Sequence, residues 1–132
     1  MDRKEKKSML RNYQKTVETI QRLKDRYETI YTQATKITPT ISDMPSSHSS
    51  DDKMLKYVEK LVEIQTLIDK LTDKLNLIDS EIAKLKPYHR YIVKSIDIKG
   101  IPPYAIARTL KVSEQAIRQR HNRIIDKMFK SQ

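Results

Sequence analysis

The clearest pattern of apolar and polar positions lies in the middle of the chain, where apolar residues recur at alternating steps of three and four. Ten residues follow this pattern: Met54, Tyr57, Leu61, Ile64, Ile68, Leu71, Leu75, Ile78, Ile82 and Leu85. The spacing is a heptad seam and predicts a long helix that ends near Lys86, because Pro87 disfavours helical backbone in the residue before it. Seven members form the predicted oligomerisation seam: Leu61, Ile64, Ile68, Leu71, Leu75, Ile78 and Ile82.

A second apolar stripe precedes this helix and predicts another helix over residues 4–37. Its members are Leu10, Tyr13, Val17, Ile20, Tyr27, Tyr31 and Ala34, with Lys24 in one slot. Residues 38–50 contain two prolines and five serines, which predicts a loop. Two helices joined by a loop predict an antiparallel hairpin. Because each stripe is wider than a strict two-position seam, we also predict self-association, most simply as a homodimer.

The C-terminal residues 87–132 carry three shorter helical patterns, over about 87–98, 103–110 and 114–129, with Gly100 as a stop after the first. The residues predicted to face inward are Ile106, Ala107, Leu110, Ile117, His121, Ile124, Ile125 and Met128. A short helix, a tight turn and a longer basic helix are typical of a helix-turn-helix. The predicted fold is therefore all-α, with a coiled-coil hairpin domain over 1–86 and a three-helix DNA-binding domain over 87–132.

The outer face of the last helix carries side chains that are able to read DNA. If Ile117 faces the core, the predicted base-reading residues are Ser113, Glu114, Gln115, Arg118, Gln119 and Asn122. Arginine matches guanine, glutamine and asparagine match adenine, and glutamate can accept from the cytosine amino group. The predicted contacts to the DNA backbone are Arg108, Lys111, Arg120, Arg123 and Lys127. An ordinary solvated helix face is the alternative interpretation of the same residues.

The charge of the chain favours a polyanionic partner. The sequence has 27 basic and 17 acidic residues, a net charge of +10, and residues 87–132 carry ten basic against three acidic residues. A local basic excess gives sequence-independent affinity for nucleic acid. Double-stranded DNA is therefore the predicted partner. We predict no membrane partner, because no stretch approaches about 18 uncharged residues.

Several classes of chemical site lack the residues that they need. The chain has no cysteine and a single glycine, Gly100, which excludes thiolate metal sites and glycine-rich phosphate loops. His48, His89 and His121 have no acidic partner at metal-ligand spacing, so we predict no metal and no cofactor. We find no pair of nucleophile and base and no paired carboxylates, and therefore predict that the protein is not an enzyme.

The C-terminal third resembles region 4 of bacterial sigma-70-type factors. The similarity lies in Ile-Ala at 106–107, Leu110, Val-Ser at 112–113 and Ile-Arg-Gln at 117–119. In that family the recognition helix reads a promoter element in the major groove, which implies base-reading positions for Glu114, Gln115, Arg118 and Gln119. The chain departs from the family at Lys111, where the turn commonly holds glycine or asparagine.

From about residue 30 to residue 130 the chain is similar to small phage proteins of the ArpU and RinA group of late-gene activators. The similarity includes Ser-Asp-Met-Pro at 42–45, Asp-Asp-Lys-Met at 51–54 and Gly100. It implies a transcriptional regulator in the cytoplasm of a bacterial host that binds promoter DNA, activates late genes and contacts host RNA polymerase. Two alternatives remain open: a small terminase subunit of a phage packaging motor, and a coiled-coil adaptor that binds protein through its basic end.

Overall fold

The computed structural model describes the backbone of residues 1–41 and 48–130 and the side chains of residues 1–36 and 52–130. Its elements are α1 (Arg3–Arg11), α2 (Tyr13–Ile41), α3 (His48–Ala83), α4 (Pro87–Val93), a π-helix (Lys94–Ile98), α5 (Pro103–Leu110) and α6 (Glu114–Lys127). These ranges contain helices and no strand, so the predicted all-α class is confirmed for them. None of the described helices combines the length and the apolar character that crossing a membrane requires.

The N-terminal helices differ from their predicted bounds. The single helix predicted over 4–37 is divided at Asn12, where the backbone has φ −84° and ψ 2°. α2 continues to Ile41 and α3 begins at His48, so the predicted loop is wrong at 38–41 and 48–50, while residues 42–47 lie outside the described backbone. Apolar periodicity marks where a helix is packed, and a helix can continue beyond its last packed residue.

The chain forms two compact units. We call residues 1–16 and 74–132 the terminal unit and residues 17–73 the central unit. This division lies between residues 16 and 17 and between residues 73 and 74, whereas the sequence predicted a boundary between residues 86 and 87. The physical reason is that Leu10 of α1 and Ile78 and Ile82 of α3 are buried in the same core as α4 and α6.

The core of the terminal unit draws on α1, α3, α4 and α6 and on the segment after α6. Its buried side chains are Leu10, Ile78, Ile82, Ile92, Val93, Ile124, Ile125, Met128 and Phe129. Burial of each such side chain contributes about 1.5–3 kcal/mol before conformational entropy is subtracted. This shared core fixes α1 and α6 within one body.

Two polar side chains secure helix ends around this core. Nη2 of Arg90 donates to the carbonyl oxygens of Ala83 at 3.3 Å and Leu85 at 3.1 Å, which would otherwise lack partners at the end of α3. The buried carboxylate of Glu81 accepts from the backbone N–H of Phe129 at 2.7 Å. Phe129 has φ 60°, a left-handed conformation that costs about 1–2 kcal/mol, so the Glu81 contact helps to hold this strained turn.

The helix predicted over 87–98 is α-helical only as far as Val93. The next five residues are π-helical, and the N–H of Lys99 donates to the carbonyl of Lys94 at 2.9 Å. A π-helix forms its hydrogen bonds over five residues rather than four. An α-helical pattern of apolar residues does not predict this change. Gly100, with φ 73°, ends this segment as predicted.

The central unit contains parts of α2 and α3, and both helices bury apolar residues at heptad-like spacing. The buried residues are Ile20, Ile30, Ala34, Ile64 and Ile68. Leu61 and Leu71 are half-buried here, as is Leu75 in the terminal unit. Burial within one chain means that Ile64, Ile68, Ile78 and Ile82 of the predicted oligomerisation seam need no second copy to cover them.

A different set of apolar residues in the central unit lies open to solvent. Leu55, Val58 and Val62 of α3 are 57%, 46% and 60% exposed. Their spacing of three and four places them on one face of the helix. Tyr31 of α2 is also exposed, although its position in the periodic pattern predicted a packed face. Val17 and Leu67 are exposed as well, so the described part of this unit has several uncovered apolar side chains.

Candidate nucleic-acid interface

The backbone between α5 and α6 forms a tight turn. Lys111 follows α5 with φ 59° and ψ 43°, and the N–H of Val112 donates to the carbonyl of Ala107 at 3.0 Å. Ser113 then caps α6, because its hydroxyl accepts from the N–H of Ala116 at 3.1 Å. In region 4 of sigma-70-type factors, which this segment resembles, the turn commonly has glycine or asparagine at this position. Here a lysine adopts the left-handed conformation.

A small apolar cluster joins α5 to α6. Ile106, Ala107 and Ile117 are buried together, and Ile96, Ile101 and Leu110 pack around them. Side chains in such a cluster have few alternative packings, so α6 is held in a fixed orientation on α5. The outer surface of α6 is therefore a rigid platform.

One face of α6 is buried and the opposite face is exposed. The residues predicted to face the core are all buried: Ile117, His121, Ile124, Ile125 and Met128. This inward face is confirmed. Five of the six predicted base-reading residues are exposed, and we call them the α6 ridge: Ser113, Glu114, Gln115, Arg118 and Gln119. The ridge presents amide, guanidinium, carboxylate and hydroxyl groups to solvent.

Within the ridge, Arg118 is oriented by Glu114. Nε and Nη2 of Arg118 both donate to Oε1 of Glu114, at 3.1 and 2.7 Å. Both side chains are largely exposed, so the pair adds little to stability. Its effect is on orientation, since it restricts the guanidinium and leaves Nη1 for another acceptor. Oε1 of Glu114 is occupied by this pair, which leaves Oε2 as the acceptor for a cytosine amino group.

The sixth predicted base-reading residue, Asn122, lies at the edge of the ridge and is half-buried. Its Oδ1 accepts from Nζ of Lys7 at 2.8 Å. An ammonium group only donates hydrogen bonds, so the atom that it contacts is the amide oxygen. The amide nitrogen of Asn122 remains as the donor available to a base.

The five residues predicted to contact the DNA backbone are all exposed: Arg108, Lys111, Arg120, Arg123 and Lys127. The guanidinium of Arg120 lies over the ring of Tyr88, 5.1 Å from its centroid, which restricts that side chain. Within the described part of the chain the other four form no ion pair. Their charge is therefore available to an external anion.

Helix α1 brings further basic residues to α6, and the sequence reasoning missed them. Nε and Nη2 of Arg3 donate to the two carboxylate oxygens of Asp126 at 2.8 and 2.7 Å. The buried Lys6 donates to the carbonyl of Asp126 at 3.1 Å. The signal in the sequence was five basic residues within α1: Arg3, Lys4, Lys6, Lys7 and Arg11. The apolar stripe over 4–37 instead predicts that this segment belongs to the hairpin.

The ionisable groups between α1 and α6 affect one another. The hydrogen bond from Arg3 lowers the pKa of Asp126, and the same hydrogen bond raises the pKa of Arg3. Burial lowers the pKa of Lys7; Arg11 and Arg3 lower it further, and Asp97 and Asp126 oppose this. Burial is thus the main reason for the lowered pKa of Lys7, and among its charged neighbours Asp97 has the largest effect.

His121, on the buried face of α6, has a structural partner. Its Nε2 lies 2.7 Å from Oδ2 of Asp97 in the π-helix, and both side chains are buried. Oδ1 of Asp97 has no hydrogen-bond partner. In the part of the chain whose side chains are described, no three histidine, cysteine or acidic residues are grouped so that they could hold a metal ion. The pair therefore ties α6 to the π-helix.

The net positive charge of the chain comes from one of its two units. The terminal unit has 19 basic and 7 acidic residues, a net charge of +12, whereas the central unit has 8 basic and 10 acidic residues, a net charge of −2. The predicted excess over 87–132 was only part of this charge. Residues 1–16, with six basic and two acidic residues, supply most of the rest, and residues 74–86 add a net charge of +1.

Comparison with known proteins gives no relative for this chain: no family model, no curated protein and no solved structure matches it.

Proposed function

We propose that this chain is a sequence-specific double-stranded DNA-binding regulator of transcription, in which α5 and α6 form a helix-turn-helix and α6 enters the major groove. The observation that carries the proposal is the division of α6 into a buried apolar face and the exposed α6 ridge. A recognition helix needs this division, because one face must be held by the domain while the other reaches the bases. The ridge has the donor and acceptor groups that distinguish base pairs.

The charge distribution supports DNA as the partner. The ridge belongs to the unit with a net charge of +12, and unpaired cations flank it. Such cations fix the register of a protein on the duplex without reading its sequence. The central unit, with a net charge of −2, adds no comparable attraction.

The proposal includes self-association of the central unit, in which α2 and α3 form an antiparallel hairpin. The exposed Leu55, Val58 and Val62 form the face that a second copy covers. A dimer places two reading helices on two half-sites, which multiplies specificity. Sedimentation equilibrium should show a dimer for the wild type and a monomer for Val58→Glu combined with Val62→Glu; a monomeric wild type at micromolar concentration contradicts this part.

The regulatory role follows from the residues that resemble the phage late-gene activators. It consists of binding a promoter in the bacterial host cytoplasm and contacting host RNA polymerase to activate late genes.

The small terminase subunit is the second candidate, and native mass spectrometry showing a closed ring of many copies would favour it. A coiled-coil adaptor is the third, favoured if the protein binds all duplexes equally at physiological salt.

The decisive experiment is selection of bound sequences from a random duplex pool, followed by two matched variants. Arg118→Ala should cost about 1–3 kcal/mol of binding free energy and relax the preference at one position. Arg123→Ala should weaken all sequences alike and lower the salt slope by about one. No enriched sequence, or equal effects of both variants on every duplex, would refute base reading by α6.

A further inference from the structure

Helix α1 is packed along α6 in a defined direction. Leu10 is fully buried in the core of the terminal unit, so α1 is an integral part of that unit. Arg3 contacts Asp126 and Lys7 contacts Asn122, so α1 runs antiparallel to the second half of α6. Continuing in this direction, Arg11 lines a shallow pocket with residues 96–103, which include the start of α5.

Helix α1 concentrates like charges that its own fold neutralises only in part. Arg3, Lys7 and Arg11 are spaced by four residues and share one face, an arrangement that destabilises an isolated helix. Arg3 has a carboxylate partner, whereas Lys7 contacts a neutral amide. Lys4 and Arg11 are exposed and, within the described ranges, form no ion pair.

These cations surround a single concave surface. Its lining consists of Arg3, Lys4, Lys7, Ser8, Arg11 and Asn12. Four cationic side chains with a hydroxyl and an amide are a set of hydrogen-bond donors suited to phosphate oxygens.

We infer that α1 is a second DNA-contacting element, in which Lys4, Lys7 and Arg11 bind the phosphates beside the groove that α6 reads. The inference rests on the proposed function. Its geometric basis is the hydrogen bond between Lys7 and Asn122, which joins the α1 surface to the edge of the α6 ridge. A helix in the major groove has a phosphate backbone on both sides, so cations adjoining it meet phosphates rather than bases.

The test is the salt dependence of binding to the selected duplex, measured by fluorescence anisotropy. Lys4→Gln combined with Arg11→Gln removes two exposed charges and leaves the Lys7 contact intact. Each phosphate contact contributes about 0.9 to the slope of log K against log salt, so the slope should fall by about 1.8. The ranking of base substitutions in the site should stay unchanged, because phosphate contacts carry no sequence information.

Two control variants separate this effect from net charge and from folding. Lys56→Gln with Lys60→Gln removes the same charge from exposed positions of the central unit and should leave the slope almost unchanged. Lys4→Arg with Arg11→Lys keeps both charges and should keep the slope. A fall in slope no larger for the α1 variant than for the central-unit variant overturns the inference and leaves α1 as a surface for an acidic protein.

The same data distinguish failure of this inference from failure of the proposed function. If the wild type shows no preference among duplexes, base reading fails and the inference fails with it. If the wild type binds its selected site and Arg118→Ala relaxes that preference, while the α1 variant retains the wild-type slope, the α1 contact alone is refuted.

Discussion

The terminal and central units are stabilised in different ways. The terminal unit buries apolar residues from four helices around one core and adds specific polar contacts, such as Glu81 to Phe129 and His121 to Asp97. The central unit buries five described apolar residues along two helices and leaves Leu55, Val58 and Val62 in solvent. We expect a substitution in the repeated apolar seam to cost less stability than one in a core formed by several helices, where the stability depends on each contact.

The units also differ in charge, and the difference indicates how their roles are divided. A net charge of +12 on the terminal unit raises the local concentration of polyanions, but it also carries a cost in self-repulsion. The central unit carries −2 and has an exposed apolar stripe, which suits contact with another protein surface. The proposed function therefore assigns DNA binding and self-association to separate parts of the chain.

The largest expected effect is on the free energy of unfolding, when a buried isoleucine in the core of the terminal unit is replaced by alanine. Ile125→Ala, at a fully buried site, should destabilise by about 4 kcal/mol, near the upper part of the range for such changes. Ile64→Ala in the central unit should cost about 2 kcal/mol, because its neighbours can close the space more easily. Hydrogen exchange read separately for α6 and for the middle of α3 measures both, and the reverse order would contradict the comparison.

The next effect concerns the buried carboxylate that holds the end of α6. Glu81→Ala should destabilise the terminal unit by about 2 kcal/mol, because the N–H of Phe129 then loses its acceptor inside the core. Glu81→Gln retains an acceptor and should cost less. Lys84→Ala removes only the exposed partner of Glu81 and should cost under about 0.5 kcal/mol. Chemical denaturation of the three variants gives the ranking, and equal losses would show that the buried contact has no special weight.

How much the sequence predicts depends on whether a feature follows from local spacing or from contacts between distant residues. The apolar seam of α3 and the buried face of α6 follow from periodicity, which depends only on local spacing. The docking of α1 does not, because Arg3 and Asp126 are 123 residues apart and no local pattern links them. The π-helix also escapes a 3.6-residue pattern. The sequence therefore predicted the α6 ridge and missed the cations that α1 places beside it.

A smaller effect is expected at the turn before α6, and its sign is opposite. Lys111 occupies the left-handed region at φ 59°, where glycine has no steric penalty. Lys111→Gly should therefore stabilise the terminal unit by about 1 kcal/mol in thermal unfolding. If Lys111 contacts a phosphate, the same variant should lower the salt slope of DNA binding by about one. Stabilisation without any change in slope would assign the lysine no role in binding.

The smallest effect is the dependence on pH of the contact between α1 and α6. The Arg3 hydrogen bond holds the pKa of Asp126 below its usual 3.8, so the pair stabilises the folded state above that value and is lost as the pH falls through the lowered pKa. Because both groups are exposed, the contribution is modest and decreases with salt. Thermal unfolding of the wild type and Asp126→Asn should differ at about pH 7 and converge as the pH falls below the lowered pKa of Asp126. Arg3→Gln should show the same convergence, and a double variant should lose no more than either single variant, because both substitutions remove one contact. A difference that persists unchanged in acid would mean that the charge of Asp126 is not its origin, because Asp126→Asn also keeps the backbone carbonyl that accepts from Lys6.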